Sequence, residues 1–136
     1  MPGPIVAYTL RMGWRRFTEI QAWQLSMKLH QEFAAILDRP PASLDRKFCD
    51  NSHDAVASAA RNIAEGFGRF GDKEFANFVN IARGSQLETQ TNLLIARNRK
   101  FMTTDEFDRI WALSEETVAT TTGLLKCLRR RARRRT

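Results

Sequence analysis

Residues that build covalent or metal-based frameworks are scarce in this chain, which has two cysteines and two histidines among 136 residues. Cys49 and Cys127 are too few for a disulfide scaffold. Each sits in an apolar-periodic segment, which suits small buried thiols in a reducing cytosol. His30 and His53 fall on different expected helices, and no zinc site is expected. No apolar run approaches the length that crosses a bilayer. Residues 5–10 are apolar but follow Met-Pro-Gly-Pro, without the basic leader or the small-residue cleavage site of a signal peptide. A soluble, cytoplasmic protein with no membrane partner is therefore expected. Period-two alternation is absent outside the first ten residues, which leaves helices as the building material. A chain of this length makes one domain that can bury a core without disulfides or metal.

Charge is plentiful but unevenly placed. Residues 1–16 carry Arg11, Arg15 and Arg16 with no acid, or +3. Residues 126–136 carry Lys126, Arg129, Arg130, Arg131, Arg133, Arg134 and Arg135, or +7. The 109 residues between hold 12 basic and 15 acidic side chains, or −3. The body is slightly acidic and the two ends carry the basicity, the usual form of an electrostatic grip on nucleic acid or another anionic surface.

Four helices are legible from caps and apolar spacing. Thr18 is the expected N-cap of the first, whose line runs Ile20, Trp23, Met27, Ala34 and Leu37, with His30 completing it, Phe33 and Ile36 widening it, and Pro40-Pro41 ending the helix. The second starts near Arg46 or Asp50 and buries Val56, Ala60, Ile63 and Phe67; Gly66 and Gly68 are expected to supply its stop and the turn. The third begins near Gly71, with Glu74 in the capping-box position but without the Ser/Thr that box prefers, and runs through Phe75, Phe78, Ala82, Ser85, Thr89, Leu93 and Ala96. Thr103 and Glu106 form a better box, opening a fourth helix lined by Phe107, Ile110, Trp111, Ser114, Val118, Thr121, Leu125 and Leu128. Short connections imply an all-α, up-down-up-down four-helix bundle over residues 17–128, with an extension at 1–16 and a basic tail at 129–136. Residues 5–10 read as a disordered leader or as an extended arm that pairs with another chain.

The stretch Asn62-Ile-Ala-Glu-Gly-Phe-Gly-Arg69, followed by Lys73-Glu-Phe75, joins two of these helices. With Phe17-Thr-Glu-Ile-Gln-Ala-Trp23, Ala82-Arg-Gly-Ser85 and Leu93-Leu-Ile-Ala96, it resembles the four helix bundle proteins encoded in intervening sequences of bacterial large-subunit ribosomal RNA genes. The accessory variability determinants of diversity-generating retroelements look like structural relatives of that group. The resemblance implies a cyclic homopentamer around a central channel. It also implies, through the retroelement relatives, a scaffold that joins a reverse transcriptase to its template RNA. The sequence departs from the family pattern at Asn51, His53 and Asp54, where Gln and paired basic residues are usual, and at Arg83 and Gln86, where apolar residues are common.

No catalytic constellation is found, and the chain is expected not to be an enzyme and to need no cofactor. His53 and Asp54 are adjacent on a helix and point apart. Gly66-Phe-Gly-Arg-Phe-Gly71 has glycines at the spacing of a phosphate loop, yet no strand precedes it and no Gly-Lys-Ser/Thr follows. Thr117 and Thr120 to Thr122 have no base placed to activate them. Glu65 is expected either to accept amides at the start of the third helix or to pair with Arg61 or Arg69, and Asn62 to be satisfied in the turn or against a neighbour.

Function is therefore placed at the basic ends. If the fourth helix runs on through 129–135, its arginines are expected to surround it, with Arg11, Trp14, Arg15 and Arg16 as a smaller basic and aromatic element close by. Apolar residues cover more than half of the third helix, through Phe78, Val79, Ile81, Leu93, Leu94 and Ile95. The excess lies between subunits of a homo-oligomer or packs against the N-terminal arm of a monomer. An RNA-binding scaffold, the product of a ribosomal RNA insertion without a defined role, and, more weakly, a pure assembly module or a binder of anionic lipid surface through the tail are the readings the sequence leaves standing.

Overall fold

The computed structural model describes residues 13–134. Four long helices account for most of them: α1 (Gln21–Leu37), α2 (Arg46–Phe67), α3 (Asp72–Asn98) and α4 (Thr104–Arg134), with no strand among the described residues. Short 3-10 turns at Phe17–Glu19 and Ala42–Leu44 lead into α1 and α2. α1 packs on α2 and α4, and α3 packs on the same two. The helices thus stand at the corners of a square, with α1 and α3 across one diagonal. The starts of α1 and α3 and the ends of α2 and α4 meet at one end, called basal below. None of these helices is long and apolar enough to cross a membrane.

The caps explain where the helices begin. Thr103 and Glu106 form the expected box: the Thr103 amide donates to Glu106 Oε1 at 2.9 Å and the Glu106 amide to Thr103 Oγ1 at 3.1 Å. Arg39 grips the same carboxylate with two bonds of 2.6 and 2.8 Å. That fork and the Thr103 amide hold the Glu106 carboxyl down at about 2. Asp45, not foreseen, caps α2 by accepting the Phe48 amide at 3.2 Å.

The other two starts have no side-chain cap. Thr18 lies inside the 3-10 turn and Ile20 occupies the cap of α1 without a side-chain bond. The reason is Glu19, whose carboxylate accepts the amides of Arg15 at 2.6 Å and Arg16 at 3.0 Å and tightens the chain there into a turn of its own. At α3 the cap is Gly71, which has no side chain to offer, and Glu74 closes no box.

On α1 the buried line is Ala22, Ser26, Leu29, Phe33, Ile36 and Leu37. The expected Trp23, His30 and Ala34 are only half-buried, and Met27 is 40% exposed. They form a second stripe beside the buried one, along an open trough on the outside of the bundle. The lines on α2 and α4 are closer to expectation. Val56, Ala60, Ile63 and Phe67 are all buried, and so are Phe107, Ile110, Ser114, Thr121, Leu125 and Leu128, joined by Leu113 and Thr117.

The core is divided. An upper apolar cluster is built around Leu29, Phe33, Phe48, Leu93, Phe101 and Ile110. A basal cluster is built around Ile20, Ile63, Phe67, Phe75, Val79 and Leu128. Between them α1, α3 and α4 contribute buried Ser26, Gln86, Thr89, Thr117 and Thr121. Gln86 Nε2 donates to Ser26 Oγ at 3.1 Å and Thr121 Oγ1 at 2.8 Å, joining three helices across the diagonal. The hydroxyls of Ser26, Thr89 and Thr117 donate to carbonyls four residues back in their own helices.

Candidate nucleic-acid interface

α4 is the longest helix, and its last turns carry most of the basic tail. Leu125 and Leu128 are buried in the basal cluster, so one side of this segment is committed to the bundle. The expectation that arginines surround the helix is corrected accordingly. Lys126, Arg129, Arg130, Arg133 and Arg134 are exposed on the outward side. Arg131 instead turns back, its Nε 3.6 Å from Oδ2 of Asp72, a carboxylate buried at the first residue of α3. This pair ties the end of α4 to the start of α3.

The start of the described chain reaches the same end. Trp14 is half-buried, its ring edge-on to Phe75 with centroids 6.4 Å apart. It also borders a small cleft with Ile20, Leu124 and Cys127. The tryptophan therefore closes the basal core, while Arg15 and Arg16 remain exposed beside it. Arg11, Arg135 and residues 5–10 lie outside the described residues.

Each residue of the glycine motif has a structural place. Gly66 is buried one residue inside the end of α2, where α3 crosses closely: an added Cβ would lie 2.7 Å from Phe78 Cβ. It serves contact, not the turn. Gly68 occupies the C-cap with φ −74°, so no left-handed backbone is needed there. Asn62 Nδ2 donates to Ser58 O at 2.8 Å and to Ser58 Oγ at 3.0 Å within its own helix. Glu65 pairs with Arg69 at 2.8 Å and takes no amide of α3.

Cations that the sequence reading did not place at the site also belong to this end. Arg69 lies over the Phe78 ring at 4.9 Å as well as bonding Glu65. Lys73 and Asn77 on α3 face Arg129 and Arg133 on α4 across an open groove of about 330 Å³ floored by Ala76 and Ala132. The signal was topological: in an antiparallel pair the first turns of α3 must lie beside the last turns of α4.

The histidines and cysteines lie elsewhere. His53 Nε2 is 3.0 Å from Asp38 Oδ1, a pairing between α2 and the end of α1 that sequence spacing could not show. Burial, reinforced by His53 and Arg61, holds the His30 imidazole below its ordinary value. The Cys49 thiol, buried and directed at the carbonyls of Ala42 (3.0 Å) and Leu37 (3.4 Å), is pushed up by burial first and by nearby carboxylates second. Cys127 is only half-buried. Among the described residues no three His, Cys, Asp or Glu side chains converge as metal ligands would.

A family model described as the 23S rRNA-intervening sequence protein matches residues 18–123. The chain belongs to that family. No curated protein gives a significant match to it. In this intervening-sequence family member the matched span covers α1, α2, α3 and α4 as far as Gly123. Arg15, Arg16, Lys126 and the arginines from Arg129 onward lie beyond it, whereas Arg69 and Lys73 lie within it.

Proposed function

We propose that this intervening-sequence family member is a non-enzymatic, oligomeric scaffold that holds RNA by its phosphates at the basal end of the bundle. The observation that carries the reading is convergence: the outward face of α4 presents five exposed cations at the same end as Arg15 and Arg16. Arginine suits the role because its planar fork bonds phosphate at two points and stacks on bases. Binding of this kind is mostly electrostatic and weakly sequence-specific. A lipid surface is a poorer fit, because the apolar side of this segment is used inside the bundle and none is left to enter a membrane.

The oligomer is supported by apolar surface on two opposed helices. Met27 on α1 is 40% exposed, and Ile81 and Leu87 on α3 are 53% and 40% exposed. Two different patches on opposite sides suit a head-to-tail contact, which closes into a ring when the rotation allows; a pentamer is the proposed form. One basic end per subunit then multiplies weak phosphate contacts through effective concentration.

The family description names ribosomal RNA without giving a role, so ribosomal RNA is the partner to test first. In the retroelement version of the reading the RNA is a template and a reverse transcriptase is bound as well. Gentle low-salt purification of the tagged protein from its own host, with RNA sequencing, mass spectrometry and light scattering, separates them. Ribosomal RNA on a multi-chain particle is the expected outcome, and a polymerase with one defined transcript would establish the retroelement version. A monomer free of RNA would contradict both.

A further inference from the structure

The groove between α3 and α4 has the form of a seat for a sugar-phosphate chain. Its walls are a Lys73–Asn77 pair and an Arg129–Arg133 pair, each spaced four residues apart, so that the two members of a pair stand on one face about 6 Å apart along the axis. All four side chains are exposed and three are cationic. The floor is Ala76 and Ala132, small enough to leave about 330 Å³ open between the walls. Beside it the Arg131–Asp72 pair joins the two helices and fixes the groove's width.

The turn that leads into the Lys73 wall carries an aromatic ring with no role in the core. Phe70, 63% exposed at the tip of the turn between α2 and α3, precedes Lys73 by three residues. Its neighbour Arg69 is held by Glu65 and by the Phe78 ring, which orders the turn that carries it. An exposed aromatic next to a cationic groove is the pairing used to bind single strands: the groove follows the backbone and the ring takes a base face. A duplex keeps its base faces stacked inside and has none to offer.

We infer that the groove and Phe70 together select single-stranded RNA, a backbone phosphate lying between Lys73 and the Arg129–Arg133 pair and an adjacent base stacking on Phe70. The inference rests on the RNA-binding reading above and adds the class of RNA and the residues that choose it. Phe70, Lys73 and Arg129 pack in neither core cluster, so substitutions at these three positions leave the bundle folded.

Fluorescence anisotropy with a labelled oligouridylate and with an RNA duplex of equal length tests it, using the full chain at fixed salt. Wild type binds the single strand more tightly than the duplex. Phe70→Ala lowers single-strand affinity about tenfold, leaves duplex affinity unchanged, and is rescued by Phe70→Trp. Lys73→Gln with Arg129→Gln loses more single-strand affinity than Arg15→Gln with Arg134→Gln, an equal change of charge outside the groove. Circular dichroism melts matching wild type establish that each variant is folded. Phe70→Ala binding as wild type does, or the two double variants losing the same affinity, would overturn the inference while the basal grip stands. Failure of wild type to bind either RNA at low salt would overturn the grip as well.

Discussion

A Cβ added at Gly66 would come within 2.7 Å of Phe78 Cβ and 2.9 Å of Phe75 Cδ1, whereas one at Gly68 would approach nothing closer than the Glu65 carbonyl at 3.4 Å. Two glycines of one motif therefore do different work. Alanine at position 66 gains about 1 kcal/mol of helix propensity, but it must push two aromatic side chains of α3 outward, an overpacking that costs about 1–3 kcal/mol. Gly66→Ala is expected to lower the melting temperature despite the better helix former, while Gly68→Ala leaves it nearly unchanged. Equal melting temperatures would show that α2 and α3 have room to separate. The sequence showed that glycine matters here but gave the wrong reason for Gly66, because close approach between helices leaves no local signature. Pairing with Arg69 was one of three roles the sequence left open for Glu65, and it is the i, i+4 pair that forms.

At the scale of the helices, the number and order of elements were readable, and so was the start of α4, where Thr103 and Glu106 supply both halves of the box. The inward side of α1 was not. Trp23, Met27, His30 and Ala34 form one stripe at helical spacing, and Ala22, Ser26, Leu29 and Phe33 form another beside it. Periodicity identifies both but cannot say which faces the core, and the buried one contains the polar Ser26. That serine is explained by α3. Gln86, which stands where the resembled family has apolar residues, needs buried partners on α1 and α4 and finds Ser26 and Thr121. Its Oε1 has no hydrogen-bond partner among protein atoms, so desolvation of that oxygen offsets part of what the two Nε2 bonds contribute. Gln86→Met, close in volume, removes the orphaned oxygen but leaves the buried Thr121 hydroxyl without its donor, so stability in urea unfolding is expected to change by less than about 1 kcal/mol. A loss of about 2 kcal/mol or more would show instead that the two bonds outweigh the orphaned oxygen.

For the whole molecule, the arrangement of charge follows from topology. An even number of antiparallel helices returns the chain to the end where it began, so Arg15 and Arg16 meet the arginines of α4 without any specific contact being required. Basic ends were legible as runs in the sequence. Their division into five outward cations and one inward arginine was not, because it depends on the buried Asp72 of a different helix. Lys73 was missed for a similar reason: it looks like an ordinary surface cation until α4 is laid alongside. The central claim is that this end grips RNA phosphates, and salt dependence of binding measures it most directly. The logarithm of the binding constant of wild type for single-stranded RNA should fall linearly with the logarithm of salt concentration, by about 0.7 for each phosphate engaged. Replacing Arg129, Arg130, Arg133 and Arg134 by Gln should flatten that slope by about two units or more. A slope that stays the same in the fourfold variant would contradict the account.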